Sequence, residues 1–206
     1  MPSKLFFTYG AMNSGKSMHL LAKAYNFEER NIPFILLKSS IDTRDGSNVI
    51  HSRALGSREC ITVSPSTNIL SLVKNEIVNT NIYPKWVMVD EAQFLTEKQI
   101  DELSDLVDKQ DINVICYGLR TDFRTQLFPG SKRLFEIADS FEEIKSSCYC
   151  NSKTIFNARI DEFKNIITDG EQIEIGGDTR YTSLCRKCYF EKTNHPLYKK
   201  NKNNLD

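Results

Sequence analysis

No apolar run in this chain is long. The longest, such as residues 34–37, cover only a few positions, whereas a membrane-spanning helix needs about 20, so none is expected. A secretory leader is not expected either, because Lys4 runs straight into a strand-like segment with no cleavage site. Excess charge is absent: 27 Lys and Arg balance 27 Asp and Glu, a formal net charge of zero. A balanced chain lacks the bulk basic footprint of a nucleic-acid binder, although a local patch would escape that count. No internal repeat is present, nor any Asn-Lys-x-Asp stretch of the kind guanine-specific loops use. From these absences we expect a cytoplasmic globular protein, and in a reducing compartment its six cysteines are not expected to form three disulfides. With 206 residues, 40% apolar and 26% charged, there is room for one good-sized domain and a small appendage.

What is present is a regular alternation. Residues 5–9 read as a buried strand, 17–30 as a helix with Leu20, Leu21, Ala24 and Phe27 at helical spacing, and 34–38 as a second strand. This is a βαβ unit. Residues 41–53 are polar and charged and read as loop. Ile69, Leu72, Val73 and Ile77 mark an amphipathic helix, and residues 86–89 a third strand. Thr96 and Gln99 form a capping-box pattern ahead of a helix with Ile100, Leu103, Leu106 and Val107 on one face. Residues 114–117 are a fourth strand, 131–138 a helix and 141–144 a short strand. Strands that are continuous apolar runs between helices predict an α/β fold with a parallel sheet covered on both faces. The pattern changes near Ser146. We therefore expect a nucleotide-binding domain over 1–145, a small second domain over 146–195 with a short strand at 172–175, and a disordered polar tail over 196–206.

Between the first strand and helix lies Gly10-Ala11-Met12-Asn13-Ser14-Gly15-Lys16-Ser17, a match to G-x-x-x-x-G-K-[ST]. In that context the loop's N–H groups and the helix N-terminus face the phosphates of a nucleotide. Lys16 reaches the β- and γ-phosphates, and Ser17 offers its hydroxyl to Mg²⁺. Such a loop needs a metal-side carboxylate at the end of another strand, and Asp90 stands there. Glu91, beside it, is placed to act as a general base. It would deprotonate a substrate hydroxyl in a kinase or a water in an ATPase.

Cys148 and Cys150 form one close pair, and Cys185 and Cys188 another. Four thiolates grouped two and two suit a tetrahedral structural zinc. Cys60 and Cys116 sit in apolar contexts and read as core residues. Two functions compete on these residues alone: a small-molecule kinase with a zinc-stapled flap, and a nucleic-acid ATPase with a zinc ribbon. Neutral charge and small size weigh against the second.

The phosphate loop, Ile41-Asp-Thr-Arg44, Val89-Asp-Glu-Ala-Gln-Phe94, Tyr117-Gly-Leu-Arg-Thr-Asp-Phe123, Ile175-Gly-Gly-Asp-Thr-Arg-Tyr181 and the cysteine pairs occur in one order. Together, from Phe7 to Tyr189, they closely resemble the zinc-containing thymidine kinases, most of all the enterobacterial branch, where the first metal pair is also C-x-C. The resemblance implies a RecA-like P-loop core with a zinc-binding lasso domain, and transfer of the γ-phosphoryl of ATP to the 5′-hydroxyl of thymidine. It implies Glu91 as proton acceptor, and Met12, Phe94, Leu119 and Phe123 as packing around the base. It places Gly176 and Tyr181 in a lasso over the nucleoside, and Arg44 and Gln93 on the ATP and Mg²⁺ side. It further implies a homotetramer inhibited by thymidine triphosphate. Arg124 is a further candidate for phosphate contact, with a solvated surface role as the alternative.

Overall fold

Strands that are apolar on both faces need cover on both sides, and the computed structural model shows how the chain provides it. It describes residues 2–43, 46, 48–172 and 180–193. The main sheet contains β1 (Leu5–Gly10), β2 (Phe34–Ser39), β5 (Ile61–Val63), β6 (Trp86–Asp90), β7 (Asn113–Gly118) and β8 (Ser140–Ile144). Its order is β5-β2-β6-β7-β1-β8, with every pairing parallel.

Successive side chains alternate between the faces. Phe7, Leu37, Val87, Val89, Val114 and Cys116 turn toward α2 (Ile69–Thr80), α3 (Glu97–Gln110) and α4 (Pro129–Ile137). Leu36, Met88, Ile115 and Tyr117 turn the other way, onto Leu20, Leu21 and Ala24 of α1 (Lys16–Glu29). Strand β7 separates the loop-bearing β1 from the acid-bearing β6, the RecA-like arrangement expected. Cys116 is fully buried and Cys60 half-buried. Burial pushes the Cys60 thiol up to about 11 and raises that of Cys116 as well, so both are inert thiols at neutral pH.

The capping box at α3 is complete. Thr96 Oγ1 accepts from the Gln99 N–H (3.2 Å) and Gln99 Oε1 accepts from the Thr96 N–H (3.1 Å). Gln99 is also buried, and its Nε2 donates to the carbonyls of Ser64 (2.8 Å) and Thr67 (2.9 Å). It therefore fastens the β5–α2 connection to the start of α3. Gln99→Ala is expected to cost about 2–3 kcal/mol and Thr96→Ala about 1 kcal/mol, read as lowered midpoints in urea unfolding. The double variant should cost less than the sum, because the two residues share the box.

The chain departs from expectation at residues 41–53. This stretch is not all loop: β3 (Val49–Ser52) and β4 (Gly56–Glu59) form an antiparallel hairpin, and β5 follows on the sheet edge. Only Ile50 is an apolar anchor, fully buried against the α1 face. The buried Lys38 holds the excursion to β2. Its Nζ lies 3.2 Å from Asp42 Oδ2 and donates to the Val49 carbonyl at 3.1 Å. Helix α4 begins two residues before the expected start, because Pro129 suits the first helical turn.

After β8 the chain enters a second sheet of order β10-β9-β11, with β9 (Phe156–Ile160), β10 (Ile166–Ile167) and β11 (Tyr181–Leu184) all antiparallel. Phe156, Ala158, Leu184 and Tyr189 pack with Cys148, Cys185 and Cys188 into a small core, closed by α5 (Arg186–Lys192). Of the strand expected at 172–175, Gln172 lies in a bend and the remainder falls outside the described residues, as do Arg44, Gly176 and the tail. No helix among the described residues is long and apolar enough to cross a membrane.

Candidate active site

The phosphate loop leaves the C-terminal end of β1. Gly10 admits no side chain: a Cβ there would meet the Ser14 hydroxyl, and would lie 2.7 Å from the Ile144 carbonyl. Gly15 caps α1 in the left-handed region (φ 88°), and Asn13 also has positive φ (59°). Together they turn the loop back over the helix start. Lys16 is buried, with its Nζ donating to the Ala11 carbonyl at 2.9 Å inside the loop. The Ser14 hydroxyl is buried without a hydrogen-bond partner among the described residues. A bound phosphate would supply one, so the loop fits the group expected there.

Opposite the loop, Asp90 ends β6. Its Oδ2 accepts from Ser17 Oγ at 2.9 Å and its Oδ1 from the Glu91 N–H at 3.0 Å. Burial, and then the neighbouring charge of Glu91, push the Asp90 carboxyl up to about 7, against the opposing pull of Ser17 and Lys16. Ser17 and Asp90 therefore stand where a cation would relieve a buried charge. Glu91 adopts a left-handed backbone (φ 53°), a strained conformation for a side chain of its size, and sites of this kind cluster where function needs them. The turn passes into a short 3₁₀ helix, Ala92–Phe94. Gln93, fully buried, donates its amide to Glu91 Oε2, while its Oε1 accepts from the Leu119 N–H at 3.0 Å. The backbone donor fixes which way the amide points, so the NH₂ must face the glutamate.

The residues expected around a base lie on the segments that converge here. Met12 is in the loop itself. Phe94 is half-buried, edge-to-face with Phe128 at 5.6 Å. Leu119 is buried behind Gln93. Phe123 is almost completely enclosed: the Arg159 guanidinium lies 4.0 Å over its ring, and its carbonyl accepts from the Tyr189 hydroxyl at 2.5 Å. Tyr181 opens β11, paired with Arg159. Arg124 turns to the buried Asp122 at 3.3 Å and to the Gly170 carbonyl at 3.3 Å, so in this structure it ties its own loop to the Gly170 turn.

The sequence assigns no individual role to Asp122, Asn157, Arg159 or Ser183. Asp122 gathers the N–H groups of Arg124 and Gln126, both at 2.8 Å, and the Gln172 amide at 3.1 Å. Arg159 donates to the Asp169 carbonyl at 2.9 Å. Asn157 and Arg159 share the face of β9 opposite the Phe156 and Ala158 core positions. That alternation of polar and apolar residues was the one local signal available for them.

The four sulfurs of Cys148, Cys150, Cys185 and Cys188 all lie within 4.8 Å of one another, and none is in a disulfide. Cys150 and Cys185 Sγ are 3.6 Å apart, close to the edge of about 3.8 Å in a tetrahedron with metal–sulfur bonds of about 2.3 Å. The thiols do not ionise alike. Hydrogen bonds from the Ser152 side chain and backbone pull Cys150 down to about 6. Cys188, lowered by the Tyr149 hydroxyl, is on balance pushed up to about 12 by desolvation and its sulfur neighbours. A central cation removes that conflict, so the cluster is fit to hold a metal ion.

A parallel sheet with a glycine loop after one strand and an acidic pair after the next but one defines a P-loop nucleotide-binding protein. The family description "Thymidine kinase" matches residues 3–189. The chain is 46% identical over 190 residues to a thymidine kinase of Rhodopirellula baltica, covering 92% of this chain and 89% of that one. It is 42% identical to one of Mannheimia succiniciproducens, covering 93% and 97% respectively, and 43% identical to one of Shouchella clausii, covering 91% and 96%. This chain belongs to the thymidine kinase family.

Proposed function

We propose that the protein is an ATP-dependent thymidine kinase of nucleotide salvage, transferring the γ-phosphoryl of ATP to the 5′-hydroxyl of thymidine, and of deoxyuridine, to supply DNA synthesis. The observation that carries this reading is the Glu91 carboxylate, oriented by Gln93 and set one residue beyond the Ser17–Asp90 pair. It stands in a chain that matches thymidine kinases over nearly its whole length.

In this reading the loop from Gly10 to Ser17 holds the ATP phosphates, with Lys16 drawn from the Ala11 carbonyl to the β- and γ-oxygens. Ser17 and Asp90 would hold Mg²⁺, which would supply neutralisation of phosphate charge. Glu91 accepts the proton of the 5′-hydroxyl as its oxygen bonds to the γ-phosphorus. The bond from that phosphorus to the bridging oxygen breaks, and ADP leaves. Met12, Phe94, Leu119 and Phe123 hold the flat base. By resemblance, Tyr181 and Gly176 belong to a lasso that covers the nucleoside and excludes water that would otherwise hydrolyse ATP. Arg44 takes a phosphate-side role by resemblance. Cys148, Cys150, Cys185 and Cys188 would hold a zinc ion that would supply a structural cross-link. A cytoplasmic homotetramer, inhibited by thymidine triphosphate, completes the proposal.

The test is ATP consumption with Mg²⁺ and each nucleoside in turn, with the monophosphate product detected directly. Phosphorylation of thymidine and deoxyuridine, and of little else, is expected. ATP hydrolysis without nucleoside, stimulated by single-stranded DNA, would overturn the kinase reading in favour of a water-activating Glu91.

A further inference from the structure

The backbone of Met12 is gripped on both sides by the second sheet. Its N–H donates to Asn157 Oδ1 at 2.7 Å, and its carbonyl accepts from Ser183 Oγ at 2.9 Å. Asn157 on β9 and Ser183 on β11 are directly paired across the strands, so one rung of that sheet holds both polar groups of one loop residue. Asn157 is buried, and its other end is also engaged, with Nδ2 donating to the Thr121 carbonyl at 3.4 Å. The two partners fix the amide's orientation, since only the oxygen can accept from Met12 and only the nitrogen can donate to Thr121.

We propose that Asn157 and Ser183 are positioning residues that clamp the phosphate loop at Met12 and so tie nucleotide affinity to the cysteine-cluster sheet. This rests on the nucleotide-binding part of the reading above. Within the loop, Met12 is the residue before the left-handed Asn13. With its N–H and carbonyl both engaged outside the loop, Met12 cannot rotate its peptides without losing these hydrogen bonds. The turn that aims the following N–H groups at phosphate is thereby held before any ligand arrives. A loop ordered in advance binds more tightly, because less ordering cost falls on the binding step. The clamp also joins the loop to the 121 segment, so one side chain sets the spacing of two walls around the acceptor.

The test is MgADP binding to purified full-length protein, by calorimetry, for Asn157→Ala, Ser183→Ala and the double variant. Thr182→Ala, from the alternate face of β11, is the control. Asn157→Ala should weaken MgADP roughly tenfold, the scale of one lost buried hydrogen bond. Ser183→Ala should weaken it several-fold, and the double variant should fall short of the product of the singles, because both grip one residue. KM for ATP should rise in step with the dissociation constant while kcat falls less. Unchanged MgADP affinity in Ser183→Ala and Asn157→Ala would overturn the clamp. So would an equal loss in Thr182→Ala, which would mean general loosening. If Asn157→Ala does not fold, Ser183→Ala against Thr182→Ala decides the matter. MgADP binding needs no nucleoside, so a failure to phosphorylate thymidine would count against the proposed activity and leave the clamp standing.

Discussion

Glu91→Gln is expected to lower kcat for thymidine phosphorylation at least ~100-fold, the usual scale of losing a positioned general base, while MgADP still binds. The substitution is close to isosteric. A glutamine at 91 can still present its oxygen to the Gln93 amide, so the left-handed turn and the Gln93–Leu119 contact are expected to survive. What disappears is the proton acceptor. A second readout follows from Asp90. Burial is the larger cause of its raised carboxyl, and the charge of Glu91 is the next. An acid must lose its proton before it can hold a cation, so Mg-nucleotide affinity should fall as pH drops through about 7, the value to which Asp90 is raised. With the neutral glutamine beside it, Asp90 should ionise at lower pH, and that limb should move toward acid. Near-normal turnover in Glu91→Gln would remove Glu91 from the role. A flat pH profile through that range would separate Asp90 from metal binding.

Loss of the cysteine-bound metal is expected to be the largest effect on stability. The second sheet has strands of five, two and four residues. Three of the seven buried apolar residues in its core are cysteines of the cluster. Three such short strands around so few apolar side chains bury too little to persist unaided, whereas structural zinc contributes on the order of 10 kcal/mol in small zinc-folded domains. Metal analysis should find one zinc per chain. Cys185→Ser, or a strong chelator entering beside the exposed Cys150, should release it and lower the melting temperature by at least ~10 °C, since 1 kcal/mol moves a chain of this size by roughly 2–4 °C. Purified protein without metal, or a melting curve indifferent to chelation, would defeat the assignment.

The core strands were legible because parallel strands covered on both faces must be apolar at every position. Residues 86–89 announce themselves in that way. The β3–β4 hairpin was not legible, because it rests on one buried apolar side chain, Ile50, and a hidden Lys38–Asp42 pair. The phosphate loop, the Asp90–Glu91 pair and the cysteines have their chemistry written in local spacing, and the structure brings each set together. Asn157 and Ser183 lie 26 residues apart in the chain and acquire meaning only when β9 and β11 pair and their side chains meet a backbone group of a distant loop. No spacing rule encodes such a contact. The thymine-side residues fall between these cases. Phe123 was singled out as a wall, but the guanidinium over its ring, from Arg159, was not foreseen.

Strand β7 touches neither phosphate nor proton acceptor at its midpoint, yet it lies between the strand that carries one and the strand that carries the other. Two interstrand spacings, roughly 9.6 Å in all, thus set the width of the reaction gap. Its buried Val114, Ile115 and Cys116 are wedged between opposite helical layers. The middle of β7 is accordingly a spacer gauge. A bulkier side chain at Ile115 would press on α1, whose N-terminal end carries the phosphate loop, and would register as an enzymatic defect from inside the sheet.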